Sequence, residues 1–125
     1  MVNNVLVYAG SAIIAIWGIA HIVPTKSVVS GFGSISQDNK RIITMEWIAE
    51  GLTLCFIGLM VLFITLTGGS QNPVSINVYR ACALMLVVMA ALTGVTGART
   101  SIVPIKVCPF VKLAVAILFI LGSVL

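Results

Sequence analysis

The hydrophobic positions of this chain fall into four long runs separated by short polar segments. The runs cover residues 2–23, 42–67, 76–98 and 108–125. A helix needs about 20 predominantly apolar residues to cross the ~30 Å hydrocarbon core of a bilayer. The pattern therefore predicts an all-α polytopic membrane protein, a single four-helix bundle over residues 1–125. Residues 25–41 are too apolar for an ordinary loop and too short to span, so we expect them to dip into the membrane interface.

The composition favours a membrane protein and excludes an ordinary soluble domain. Hydrophobic residues make up 60% of the chain and charged residues 8%, whereas soluble proteins average about 25% charged residues. The net charge of +4 sets topology rather than indicating nucleic-acid binding, which we do not expect. The basic residues expected at one side are Lys26, Lys40, Arg41, Arg99, Lys106 and Lys112, against Arg80 at the other. The positive-inside rule then places both termini outside a bacterial or archaeal inner membrane.

The second run carries two carboxylates in its first turns. Glu46 and Glu50 account for two of the three acidic residues of the chain. Four residues apart, they share one face of a helix. Glu50 lies about 12 Å past Ile42 at the α-helical rise, within the hydrocarbon of the bilayer. Because ionisable groups at that depth are expensive, they indicate a functional site.

Hairpin geometry brings further polar residues to the same end of the bundle. His21 ends the first run and Arg99 follows the third, so both meet the two carboxylates. We expect Glu46, Glu50 and His21 to act in proton transfer, and Arg99, Trp47, Phe32 and Asn39 to contact a ligand. A Glu–Arg99 ion pair that only fixes the bundle is the structural alternative. A single histidine without a Glu-x-x-His motif predicts no metal site.

Local signals predict where helices begin. Asp38 or Asn39 is expected to cap the second long helix, and Pro109 is expected in the first turn of the fourth. Small residues are expected where helices pack closely, namely Gly10, Ser11, Ala15 and Gly18 in the first run and Gly51 and Gly58 in the second.

Two short segments are similar to each other. Ile22–Lys26 (IVPTK) and Ile102–Lys106 (IVPIK) each follow a span on the same side. The similarity suits a parallel repeat of two helical hairpins, although shared loop chemistry would produce it equally well.

The segment Gly18-Ile19-Ala20-His21-Ile22-Val23-Pro24, at the end of the first of four short spans, resembles the DoxX-like superfamily of small four-helix membrane proteins. The resemblance implies a four-helix membrane fold and quinone or thiol redox partners. The presence of Glu and His inside a four-helix membrane bundle is also similar to sterol-isomerase-like proteins, which implies proton transfer on a lipid.

These observations lead us to expect a membrane protein that binds a small lipophilic ligand at its cytoplasmic end. Quinone, isoprenoid and sterol-like lipids are the candidates, with proton-transfer or redox-linked chemistry left open and no cofactor assigned. The alternative is a non-catalytic accessory subunit of a membrane complex or a structural homo-oligomer. A transporter is a third hypothesis. It would require a dimer, because four spans are few for a transport pathway through the membrane.

Overall fold

The computed structural model describes all residues from Met1 to Leu125, and they form helices without a strand. The helices are α1 (Val2–Ile22), α2 (Thr25–Ser30), α3 (Gln37–Gly68), α4 (Pro73–Val95) and α5 (Val103–Val124), with a 3-10 turn at Gly97–Arg99. All but α2 are long and apolar enough to cross a membrane. The expected all-α four-helix membrane fold is confirmed.

The four long helices form a bundle in which α1 packs on α3 and α5, and α4 packs mainly on α5. Contacts between α3 and α4 are fewer, and α3 lies diagonally across from α5. The most extensive pairings are thus α1 with α3 and α4 with α5, the two hairpins suggested by the internal similarity. The two Ile-Val-Pro segments nevertheless begin different elements, because Pro24 precedes the short α2 and Pro104 lies in the first turn of α5.

One contiguous apolar core joins the four helices. Its members are Val7, Ile14, Leu54, Ile57, Val61, Tyr79, Ala83, Leu86, Val115, Ala116 and Phe119. The other large apolar side chains point outward on every long helix, as expected where lipid is the surrounding solvent.

Glycine lets α1 and α3 approach until their backbones touch. A Cβ on Gly18 would lie 2.7 Å from the carbonyl oxygen of Gly51 and 2.8 Å from the nitrogen of Cys55. A Cβ on Gly58 would lie 2.7 Å from the carbonyl oxygen of Ser11. Close backbone contact gives van der Waals attraction that apolar side chains alone do not provide in lipid.

Three helix starts differ from the prediction. Ser36, rather than Asp38 or Asn39, caps α3, since its side chain accepts a hydrogen bond from the Asn39 amide. Helix α4 begins at Pro73 rather than residue 76, because the Asn72 side chain caps it.

The largest difference concerns α5, which begins at Val103 rather than residue 108. Pro109 is therefore inside the helix and not in its first turn. Proline has no N–H, so the carbonyl of Ile105 cannot receive the usual bond from residue 109. The helix starts earlier because Pro104 already supplies the pre-set backbone angle that favours an N-terminal turn.

The segment 25–41 is more regular than expected. It contains α2, a six-residue helix, and its last five residues belong to α3. With 32 residues, α3 is about 48 Å long at the α-helical rise. It therefore extends beyond the ~30 Å hydrocarbon core.

The end of the bundle that holds both termini is fixed by hydrogen bonds between helices. Thr65 donates to the Val61 carbonyl, so the buried Tyr79 hydroxyl donates to Thr65 over 2.6 Å. Asn3 donates to Ser70 over 3.0 Å. Every buried side-chain polar group at this end has a partner.

Candidate ligand site at one end of the bundle

A cavity of about 890 Å³ lies at the opposite end, between the four long helices and α2. Its walls are mainly apolar, with Val28 of α2, Leu92 of α4 and Ile105 of α5 among them. Small-molecule sites typically measure about 300–1,000 Å³ and combine apolar walls with a few polar groups. The cavity has the size and the character of such a site.

Each long helix supplies one residue to a polar cluster at this cavity. The four residues are His21 of α1, Glu50 of α3, Thr93 of α4 and Lys112 of α5. Because α3 and α5 are diagonal to each other, the ion pair between Glu50 and Lys112 crosses the bundle. The cluster therefore ties all four helices together at the wall of the cavity.

Lys112 is the cation of the cluster and is completely buried, with 0% of its side chain exposed. Its Nζ pairs with Oε1 of Glu50 and donates to Oγ1 of Thr93 over 2.8 Å. It does not border the cavity itself, whereas Glu50 and Thr93 do. Lys112 thus holds the Glu50 carboxylate at the wall and neutralises it from behind.

His21 is the group of the cluster whose hydrogen-bonding capacity is unused. Its side chain is 9% exposed and its Nε2 lies 3.3 Å from Oε2 of Glu50. The two atoms are not aligned for a hydrogen bond, and Nε2 is the one buried side-chain nitrogen or oxygen without a partner in the protein. Such an atom is costly unless something bonds to it.

Trp47 fixes the orientation of His21. The two rings are stacked with centroids 3.9 Å apart and planes 16° from parallel. The indole Nε1 of Trp47 donates to the carbonyl of His21 over 2.6 Å. This carbonyl belongs to the last turn of α1, where no intrahelical donor is available for it.

The second tryptophan of the chain also borders the cavity. Trp17 donates from Nε1 to Sγ of the buried Cys108 over 3.3 Å, which fixes α1 against α5. Both tryptophans of the sequence therefore line the same cavity.

The structure brings together some of the residues predicted from the sequence and leaves others apart. His21, Glu46, Glu50 and Trp47 line the cavity. Arg99 is exposed on the 3-10 turn and pairs with no carboxylate. The counter-charge of Glu50 is instead Lys112.

The expected ligand contacts from the 25–41 segment are also absent from the cavity wall. Phe32 is exposed beyond α2, and Asn39 is exposed in the first turn of α3. Val28 of α2 lines the cavity instead. Glu46 is exposed at the cavity and has no ion pair.

The apolar core closes the cavity on the side of the termini. Leu54 and Ile57 follow Glu50 by one and two turns on α3, and both are buried. Val115 and Phe119 continue α5 beyond Lys112 in the same way. These buried side chains separate the cavity from the hydrogen-bonded end of the bundle.

The end that holds the cavity is also the basic end of the protein. With Lys112 buried, the exposed basic residues there are Lys26, Lys40, Arg41, Arg99 and Lys106. Only Arg80 and the N-terminal amine lie at the other end. The charge asymmetry that sets topology thus persists without Lys112.

Comparisons with protein-family models, with curated proteins and with solved structures gave no match for this chain.

Proposed function

We propose that this membrane protein binds a small lipophilic ligand, of the quinone, isoprenoid or sterol-like classes, in the cavity at its cytoplasmic end. The observation that carries the proposal is the His21 imidazole, buried at the cavity wall with an unpartnered Nε2. A buried polar atom without a partner is rare in folded proteins. A ligand that bonds to it would remove its cost.

The remaining features of the cavity suit the same ligand class. Its volume of about 890 Å³ lies within the range of ligand sites. Apolar walls favour a hydrocarbon body, while the polar cluster at one end orients the head of the ligand. Helices α3 and α4 make fewer contacts with each other than the other neighbouring pairs of long helices, and in this proposal a lipophile enters from the membrane between them.

Proton transfer to or from the bound head is the chemistry that the cluster would support. Glu50 and His21 are adjacent, with Oε2 and Nε2 3.3 Å apart, and imidazole and carboxylate are common general acid–base groups. Lys112 pairs with Oε1 of Glu50 and leaves Oε2 beside His21. In this proposal His21 exchanges the proton and Glu50 orients and supports it.

Native mass spectrometry of protein purified in mild detergent tests the proposal, combined with lipid extraction. We expect a stoichiometric lipophile that is retained by the wild type and lost in Glu50→Gln. Asp38→Asn is the matched control, since Asp38 is an exposed carboxylate on the same helix and outside the cavity. It should retain the lipophile fully.

A ligand-free oligomer or a stable complex with another subunit would favour the accessory or structural role instead. In that case Glu50→Gln should disrupt assembly, and no lipophile should be retained by the wild type. The two functions therefore differ in what co-purifies with the unmodified protein.

A further inference from the structure

We infer that the site selects an uncharged ligand with a hydroxyl head, which bonds to both His21 and Glu50. This inference rests on the proposed function and narrows it to alcohols, such as isoprenoid alcohols, sterols or the reduced form of a quinone. It follows from the charges and the free hydrogen-bonding positions at the cavity wall.

The charge of the wall disfavours an anionic head. The charged residues that border the cavity are both carboxylates, Glu46 and Glu50. The nearest ammonium, Lys112, is fully buried behind Glu50 and already bonds to Glu50 and Thr93. A phosphate or carboxylate head would therefore meet acidic side chains without a free cation.

The same arrangement disfavours a cationic head at this position. Lys112 already neutralises the Glu50 carboxylate. A second cation beside the pair would be repelled by the ammonium, and its removal from water would be uncompensated. The cluster of His21, Glu50, Thr93 and Lys112 is electrically balanced when His21 is neutral, which fits a neutral head. The unpaired Glu46 carboxylate is outside this cluster and exposed.

The free positions match a hydroxyl group in number and in kind. Oε1 of Glu50 is taken by Lys112, whereas Oε2 receives no hydrogen bond and faces Nε2 of His21 at 3.3 Å. A hydroxyl both donates and accepts. It would donate to Oε2 while accepting from an Nε2–H of His21, whereas a carbonyl or an ether cannot donate and would leave Oε2 unbonded.

Three probes that share the farnesyl group and differ in the head test this inference: farnesol, farnesyl methyl ether and farnesyl phosphate. Tryptophan emission of protein in dodecyl maltoside reports binding, because Trp17 and Trp47 both border the cavity. We expect farnesol to bind about 10-fold or more tightly than either analogue, since an unmade hydrogen bond to a buried group costs roughly that factor.

The variant His21→Phe identifies the bonding atom. Phenylalanine keeps an aromatic ring to stack on Trp47 and removes both ring nitrogens. It should weaken both farnesol and the methyl ether about 10-fold, because each accepts from Nε2–H, and it should leave the preference for farnesol in place, because the hydroxyl still donates to Oε2 of Glu50. Lys106→Met, at an exposed position of α5 outside this cavity, should preserve the wild-type affinities for all three probes.

The outcomes separate this inference from the proposed function. Equal or tighter binding of the ether or the phosphate overturns the hydroxyl selectivity and leaves a lipophile site in place. An unchanged affinity for farnesol in His21→Phe overturns the assignment of Nε2 as a bonding atom. A folded protein that binds none of the three probes overturns the inference and the proposed function together.

Discussion

Removing one member of the Glu50–Lys112 pair should destabilise the protein far more than removing both. Glu50→Gln leaves the Lys112 ammonium completely buried without its carboxylate. Breaking a buried pair from one side typically costs about 3–5 kcal/mol, and a lysine near the centre of a membrane helix costs about 2.5–3.5 kcal/mol. We therefore expect Glu50→Gln and Lys112→Met each to lower the free energy of unfolding by about 3 kcal/mol.

The double variant leaves no unpaired charge. Its free energy of unfolding should therefore fall by only about 1–2 kcal/mol, because packing is poorer and the Thr93 hydroxyl loses the hydrogen bond from Lys112. The coupling energy from the double-mutant cycle is then about 4–5 kcal/mol in magnitude. Equilibrium unfolding in mixed micelles of dodecyl maltoside and SDS, followed by circular dichroism, measures all four proteins.

The pair Asp38→Asn and Lys106→Met is the matched control, because both residues are exposed on the same two helices. Its cycle should give a coupling within about 0.5 kcal/mol of zero. If the coupling energy of the Glu50–Lys112 cycle is also close to zero, the two side chains do not form an ion pair in the folded protein.

Three further predictions concern packing and topology. Gly18→Ala should lower the free energy of unfolding by about 1–3 kcal/mol through overpacking, because its Cβ would meet the backbone of α3 at 2.7 Å. Gly94→Ala is the control and should be neutral, since nothing lies within 4 Å of its Cβ. Equal effects of the two variants in the same unfolding assay would refute the close α1–α3 contact. Tyr79→Phe should lower the free energy of unfolding by about 1 kcal/mol, because the buried hydrogen bond between Tyr79 and Thr65 is lost. An unchanged free energy of unfolding would contradict that hydrogen bond. In intact cells, a membrane-impermeant maleimide should label Gln71→Cys but not Thr100→Cys, and the reverse pattern would invert the expected topology.

The spans were predictable because the requirement for them is simple. A helix in lipid must be apolar over about 20 residues, and four runs meet this requirement visibly. The convergence of His21 with Glu46 and Glu50 was also predictable, since alternating helices must place these residues at one end. Hairpin connectivity alone carried that inference, without knowledge of any side-chain contact.

Lys112 was not predictable as the partner of Glu50, because the sequence pattern places it near the loop that precedes the fourth long helix. Taking Pro109 as a first-turn residue puts Lys112 at the membrane edge, where a lysine reaches water easily. In the structure α5 begins at Val103, so Lys112 is about 13 Å along the helix. The shortness of the fourth run, residues 108–125, was the available signal, because a full span of about 20 residues needs preceding residues as well.

The sequence pattern does not show which helices are diagonal to each other in the bundle, or which charged side chains are exposed. A pattern shows which residues share a helix face, but not which helices face each other across the bundle. Arg99 was the expected counter-charge because it ends the third run, yet the 3-10 turn at Gly97–Arg99 leaves it exposed. The choice between Arg99 and Lys112 depends on helix rotation, which packing of the whole bundle decides.

The two polar ends of the bundle argue for different roles. At the end with the termini, buried groups such as Tyr79 and Thr65 are neutral and fully bonded, which is what joining helices requires. A buried ion pair is a weak source of stability, since well-packed apolar residues of similar volume are often at least as stable. The opposite end nonetheless holds such a pair beside an unpartnered histidine, at the wall of a large cavity. Stability alone does not account for that combination, which is the reason for the proposal that this end recognises the head of a ligand.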